Sequence, residues 1–368
     1  MPGLNLGKLY HQAIKGYAAI PMRFFEDGAA LPPLRVAFIL THRCNLLCEW
    51  CEVMSPQNIE RTKKQKGEEL STEEVLGILK QVPRHSIVTF TGGEPFARKD
   101  LFPLLQAASA RNKVHLVSNG YLVTPEQIEE LLGLAATNLL GHGLFTFAIS
   151  IQGDAPLHDR IVGIEGAWKK TIGTIAQVCR RRRERGLKYP LVDLKVVITR
   201  ENVGGLLDLY EIAKQAGADL MSLQIVNTQG SAYGVHDGNY GVHQKDPPPV
   251  EPIAPQVLRP VLEALQAQNG AGPGVRFNPH FPIDAILDHY QNKRRIDELV
   301  CHATWTTMHI APYGEVYPCF SYPMGNVRRQ SLREIWNGEP YRSFRRNLRR
   351  AGAYPGCVGC CVVDHKRG

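Results

Sequence analysis

The stretch Thr41-His42-Arg43-Cys44-Asn45-Leu46-Leu47-Cys48-Glu49-Trp50-Cys51 decides how the chain is read. Its cysteines are spaced Cys-x3-Cys-x2-Cys. Three thiolates can hold three irons of a [4Fe–4S] cluster and leave the fourth without a protein ligand. Clusters that only carry electrons are normally held by four cysteines. An open iron can bind a small molecule, much as a catalytic zinc site keeps one position free. The alternative is a zinc site or a few buried thiols. Zinc favours four ligands in paired spacings, and His42 lies too close to Cys44 for an ordinary zinc hairpin.

The flanking sequence places this stretch on a β/α alternation. Arg35 to Leu40 is a short apolar run, expected as a strand that ends just before the cysteines. Ser71-Thr72-Glu73-Glu74 is a capping box that opens a helix to about Gln81. Strands are expected over 86–90, 114–117, 145–151, 192–198 and 220–226. Helices are expected from Thr124 or Pro125, from Trp168 to about Arg185, and from about Asn202 to Gln215. Strands separated by helices predict an α/β fold with a parallel sheet and right-handed crossovers, here a partial (β/α)6 TIM-type barrel. Such barrels carry chemistry on the loops at the carboxyl ends of their strands. The cysteine loop, Gly92-Gly93-Glu94-Pro95 and Ser118-Asn119-Gly120 all follow strands, so they belong on one rim. The two glycines permit close approach of backbone to a ligand. Glu94 offers a carboxylate suited to an ammonium group.

The chain has 368 residues, a formal charge of +8 and nine cysteines. The cysteines group as 44/48/51, 301/319 and 357/360/361, which favours metal binding over disulfides. Cys179 stands alone and is read as a structural thiol. No apolar stretch is long enough to span a bilayer, and the N-terminus lacks a secretory signal, so a cytoplasmic location is expected. Residues 8 to 25 predict an amphipathic helix packed on the main domain, with a peripheral membrane contact as the alternative. Two arginine runs, Arg180 to Arg183 and Arg342, Arg345, Arg346, Arg349 and Arg350, are read as solvated helix faces. No aromatic residues interleave with the first run, and nucleic acid is not an expected partner. Residues 229 to 256 read as a long loop with Tyr233-Gly234-Val235-His236 and Tyr240-Gly241-Val242-His243, whose histidines are taken as surface or lid residues.

The two motifs, in this order, resemble those of radical S-adenosylmethionine (radical SAM) enzymes, and the resemblance covers most of the chain. It implies that Cys44, Cys48 and Cys51 bind a [4Fe–4S] cluster whose open iron chelates SAM. Gly92, Gly93, Glu94 and Pro95 would hold the methionyl amine, and Trp50 would lie near adenine. Ser118, Asn119, Ser150 and Gln152 would follow on the rim, with Val197 or Ile198 and Ile225 or Val226 flanking adenine. Many relatives carry Asp where this chain has Gln152, which weakens the ribose assignment. Arg160 is assigned to the SAM carboxylate, with a structural ion pair as the alternative.

Further on, Cys301, a hairpin around Gly314, Cys319 and Cys357-x2-Cys360 resemble the SPASM/twitch extension. The expectation is a twitch-type half with a second, auxiliary [4Fe–4S] cluster on Cys301, Cys319, Cys357 and Cys360. Cys361 competes as fourth ligand, and a structural zinc is the alternative. The resulting division is a lead-in over 1–34, a barrel core over 35–228, a long loop and helical linker over 229–300 and an auxiliary region over 301–368.

The resemblance implies an oxidoreductase or maturase that cleaves SAM to a 5′-deoxyadenosyl radical. A reductant such as flavodoxin or ferredoxin would supply the electron. The radical would take hydrogen from a small-molecule or peptide substrate. The short lead-in tilts the expectation toward a small molecule. A non-catalytic iron–sulfur electron carrier or redox sensor is the competing function, and the Gly-Gly-Glu-Pro run argues against it.

Overall fold

The computed structural model describes residues 6–51, 68–228, 246–268, 270, 272–319 and 323–366. The Tyr-Gly-Val-His repeats lie outside them. Seven strands run parallel in chain order: β1 (Arg35–Ile39), β2 (Ile87–Thr91), β3 (Lys113–Ser118), β4 (Gly143–Ser150), β5 (Leu191–Val197), β6 (Leu220–Gln224) and β7 (Gly274–Asn278). Helices connect them, and their starts follow the sequence logic. Ser71 and Thr124 each accept from the backbone N–H three residues on, and Glu74 and Gln127 answer with reciprocal bonds.

Alternation along the strands separates two faces. Val36, Phe38, Val88, Phe90, Val114, Leu116, Phe147, Ile149, Val192, Leu194, Met221 and Leu223 are buried in one apolar core. That core includes Val75, Leu104, Leu131, Ile175 and Leu209 from the crossover helices. The other face lines a lumen. A single cavity touches Arg35 of β1, Gln224 of β6 and residues of every strand between, so the sheet is curled around it.

The sheet extends beyond the six strands read from sequence. β7 lies in the segment read as loop and helical linker. After the short β8 (Leu299–Val300) come β9 (Thr307–Ile310), β10 (Glu315–Tyr317) and β11 (Gly325–Asn326), then β12 (Asp364–His365). β9 adds parallel to the free edge of β1, and β10 and β11 follow antiparallel, giving the order β11-β10-β9-β1-β2-β3-β4-β5-β6-β7. The hairpin turn has Gly314 at φ 93°, as its sequence predicts. β8 and β12 form a separate antiparallel ribbon. The N-terminal helix, Leu6–Phe24, is tied to it through Asp364, which bridges His11 (3.2 Å) and His302 (2.7 Å).

The arginine runs are not simply solvated faces. Arg182 is buried and bonds Asp219 through both terminal nitrogens. Arg345 is fully buried; it donates to the carbonyls of Thr304 (2.9 Å) and Trp336 (2.8 Å) and stacks over Trp336 and Tyr341. Arg342, Arg346 and Arg349 reach the segment 22–27 at Asp27 and the carbonyls of Met22, Phe25 and Glu26. Charge here fastens the lead-in to the C-terminal helix.

No helix among the described residues is long and apolar enough to cross a membrane. Arg345→Met should lower unfolding stability by about 3 kcal/mol or more, because buried carbonyls lose their donor and two rings lose their cation. Urea unfolding measures this, and an unchanged midpoint would remove the role assigned to Arg345.

Candidate active site at the barrel rim

The loops after β1 and β2 lie flush. Gly93 N donates to Thr41 O (2.7 Å) and Glu94 N to Arg43 O (2.9 Å). A Cβ at Gly93 would collide with the carbonyl of Arg43, and one at Gly92, which has φ 150°, would lie 2.6 Å from Thr41 O. The sequence assigned these glycines to a ligand. In the fold they first let the Gly-Gly-Glu-Pro turn dock on the cysteine loop. Arg98, buried, braces the same corner through the carbonyls of Leu40 and Leu70 and a two-point bond with Asp100.

Glu94 is fully buried. Its carboxylate accepts from Phe96 N (3.0 Å), Ser118 Oγ (2.8 Å) and Asn119 N (2.8 Å). Burial outweighs these bonds and pushes its pKa up to about 7. Asn119 carries the network on: its Nδ2 donates to Asn45 Oδ1 (2.9 Å) and approaches Cys44 Sγ (3.8 Å). The ends of β2 and β3 and the cysteine loop thus share one continuous polar network.

Cys44, Cys48 and Cys51 are half-buried neighbours. Burial, then the adjacent Glu94 and Cys51, push Cys44 up to about 11. Burial, then Cys51 and Cys44, push Cys48 up to about 12. Burial and crowding disfavour the thiolates of Cys44 and Cys48, a cost that a cation among them would offset, and three sulfurs suit soft transition-metal chemistry. Among the described residues no three His, Cys, Asp or Glu side chains converge closely enough to hold a single metal ion. The donor set fits an iron–sulfur cluster.

The softer assignments divide. Ser118 and Asn119 sit at the centre of the network. Ser150 and Gln152 line the cavity below the rim, and Gln152 Oε1 is buried without a hydrogen-bond partner. Trp50 is 39% exposed beside the cysteines. Arg160 is held by Glu49 (2.9 Å) and Glu201 (2.5 Å), the ion-pair alternative. Sequence reasoning missed the lumen. Arg35, His115, Lys195, Gln224 and His309 line a cavity of about 290 Å³ with Thr89 and Thr91. The signal was present: Asp193 and Lys195 alternate with Val192, Leu194 and Val196, a strand with one polar face.

The C-terminal cysteines also gather. Cys301, Cys319, Cys357 and Cys360 are buried. Burial drives the Cys301 thiol well above its usual range, and the neighbouring Cys357, Cys360 and Cys319 add to this. Val362 N donates to Cys360 Sγ (3.4 Å). Arg294 donates to the carbonyl of Cys360 (3.2 Å), and its charge faces Cys360, Cys357 and Cys361. Cys361 is near enough to Lys195 to act on its charge. Thr228 N bonds Gly359 O (3.0 Å), joining the end of β6 to this turn.

Comparison with known proteins agrees with the geometry. Residues 38–213 match the radical SAM superfamily, and residues 301–361 match SPASM, an iron–sulfur cluster-binding domain. The chain is 31% identical over 326 residues to a PqqA peptide cyclase of Rhodopseudomonas palustris, covering 85% of this chain and 76% of that protein. It is 25% identical over 340 residues to an AdoMet-dependent heme synthase of Nitratidesulfovibrio vulgaris, covering 88% and 84%. Streptococcus suis SuiB bound to its precursor peptide SuiA shares the fold, with a TM-score of 0.63 at 16% identity over 98% of this chain and 77% of that one. The first matched region implies a [4Fe–4S] cluster and SAM, and the second further iron–sulfur binding.

Glu94 gives the rim a pH signature. Its folded pKa, about 7, lies above the ordinary 4.5, so its contribution to stability is full below pH 4.5 and is lost as pH rises through 7. The cofactor-free protein should lose about 3 kcal/mol over that window, and Glu94→Gln should flatten the slope. Urea midpoints between pH 4.5 and 7.5 read both; equal slopes would refute the assignment.

Proposed function

The chain belongs to the radical SAM superfamily, and from that membership we propose an enzyme that takes a hydrogen atom from an unactivated carbon of a peptide or small-molecule substrate held in the barrel lumen. The chemistry that a cluster and SAM supply there is one-electron cleavage of SAM to methionine and a 5′-deoxyadenosyl radical. Cys44, Cys48 and Cys51 would hold three irons. Among the described residues Glu94 Oε2 accepts one hydrogen bond, from Asn119 N, so it keeps capacity for the methionyl ammonium. Ser118 and Asn119 hold that carboxylate in place. Ser150 and Gln152, which line the cavity at the end of β4, would lie beside SAM and substrate.

Cys301, Cys319, Cys357 and Cys360 would hold an auxiliary cluster, with Arg294 offsetting thiolate charge. Cys361 is near enough to Lys195 to act on its charge, which supports a position against the lumen wall, from which an electron could leave the product radical. The reaction would then be a net oxidation or cross-link. The relatives named for peptide cyclisation favour a peptide substrate, and the external reductant would be a flavodoxin- or ferredoxin-type carrier. The observation that carries this reading is the single network from Glu94 through Asn119 to Cys44, at the mouth of a polar cavity.

Anaerobic reconstitution should load about eight irons per chain, and SAM with dithionite should yield 5′-deoxyadenosine. Cys44→Ala should abolish that product. Cys357→Ala should retain about four irons and still cleave SAM. A wild-type protein that binds iron without ever cleaving SAM would return the chain to the electron-carrier reading.

A further inference from the structure

The lumen beneath the rim is cationic. Alternate positions on its strands turn Arg35 (β1), His115 (β3), Asp193 and Lys195 (β5), Ser222 (β6), Arg276 (β7) and His309 (β9) to the inner face. Lys195 is in register with Ser150 on one side and Ser222 on the other, two residues before the end of β5. At about 3.3 Å per residue its backbone lies roughly 7 Å below the rim. Arg35 and Arg276 stand close enough to act on both Lys195 and His115. Arg276 is at the exposed edge of the sheet.

The counter-charge is short. Among the described residues Asp193 is the carboxylate that acts most on Lys195, and one of its oxygens accepts from Ser222 Oγ (3.0 Å). The Cys361 sulfur is also near enough to act on Lys195. Among the described residues, no ion pair or hydrogen bond engages the head groups of Arg35, Lys195 or Arg276. Buried arginines elsewhere are matched: Arg98 by Asp100, Arg182 by Asp219, Arg345 by carbonyls. Arg35 and Lys195 are half-buried, so like charges gathered there with little counter-charge are costly, and a cavity that gathers them is suited to receive the opposite charge.

We propose that Lys195 and Arg35, with Arg276 at the open edge, bind an anionic oxygen group of the substrate, a carboxylate or a phosphate, and so position its reacting carbon below SAM. This rests on the radical SAM reading above, with substrate in the lumen. Lysine and arginine would supply charge-assisted hydrogen bonds from two strands, fixing orientation as well as affinity.

Calorimetry on the reconstituted, SAM-loaded enzyme in low-chloride buffer tests this, with glutarate, inorganic phosphate and neutral glutaramide as probes. At least one anion should bind, with glutaramide about tenfold weaker or worse, and the tighter anion identifies the group. Lys195→Met and Arg35→Met should each weaken that anion about tenfold or more, and the edge variant Arg276→Met less. SAM affinity and 5′-deoxyadenosine formation without substrate should stay at wild-type levels. The proposal is overturned if neither anion binds the wild type, if glutaramide binds as well as the anions, if all three variants bind as the wild type does, or if SAM affinity falls in step with anion affinity. Absence of 5′-deoxyadenosine from the wild type would sink the radical SAM reading instead, and the calorimetry would still report on the cations.

Discussion

The site depends on one close approach, the docking of the Gly-Gly-Glu-Pro turn onto the cysteine loop. Two backbone hydrogen bonds, Gly93 N to Thr41 O and Glu94 N to Arg43 O, define it. Side chains at 92 or 93 would hold the loops apart. Because β1 and β2 are parallel neighbours in register from Arg35↔Ile87 to Ile39↔Thr91, both loops leave the sheet at the same height. The docking then buries Glu94 where Ser118 and Asn119, from the end of β3, can reach it. Three strands thereby contribute to one network, and the cysteines inherit its position.

A second constraint is electrostatic. The chain draws many charged or chargeable groups inward: crowded thiols in two places, a buried carboxylate, and arginines and a lysine in the interior. Most are answered locally. Arg182 meets Asp219, and Arg345 meets carbonyls and aromatic faces. Two kinds of group are not. The thiol sets would be answered by the iron–sulfur clusters that the matched domains imply. The lumen cations face open space beneath the rim, where the reaction would occur. The unanswered charges thus coincide with the places where the proposed clusters and substrate would bind.

Much of the core was legible. Strand and helix starts depend on local chemistry, so the capping box at Ser71, the helix start at Thr124 or Pro125 and the apolar runs before each motif located six strands and four of the helices to within a few residues, while the helix Leu101–Ser109 between β2 and β3 was not read. The position of the motifs after strands placed them on one rim. β7 was missed because Val-Arg-Phe-Asn, with an exposed arginine and glycine before it, lacks a sustained apolar run. The joining of β9 to β1 was missed because pairing across nearly the whole chain has no local signature. The arginine runs misled for a related reason: helical spacing shows that residues share a face, not what that face meets.

The cysteine spacing, the Gly-Gly-Glu-Pro run and their places in the β/α order are properties of the sequence, and they settle the family and its cofactors, since chemistry at these positions tolerates few residue types. Which thiols become neighbours, why two glycines are needed, and which charges stand unmatched in the lumen are decided only in three dimensions. There Arg35 and Lys195, 160 positions apart in sequence, line one cavity because the sheet curls until its alternate residues face each other.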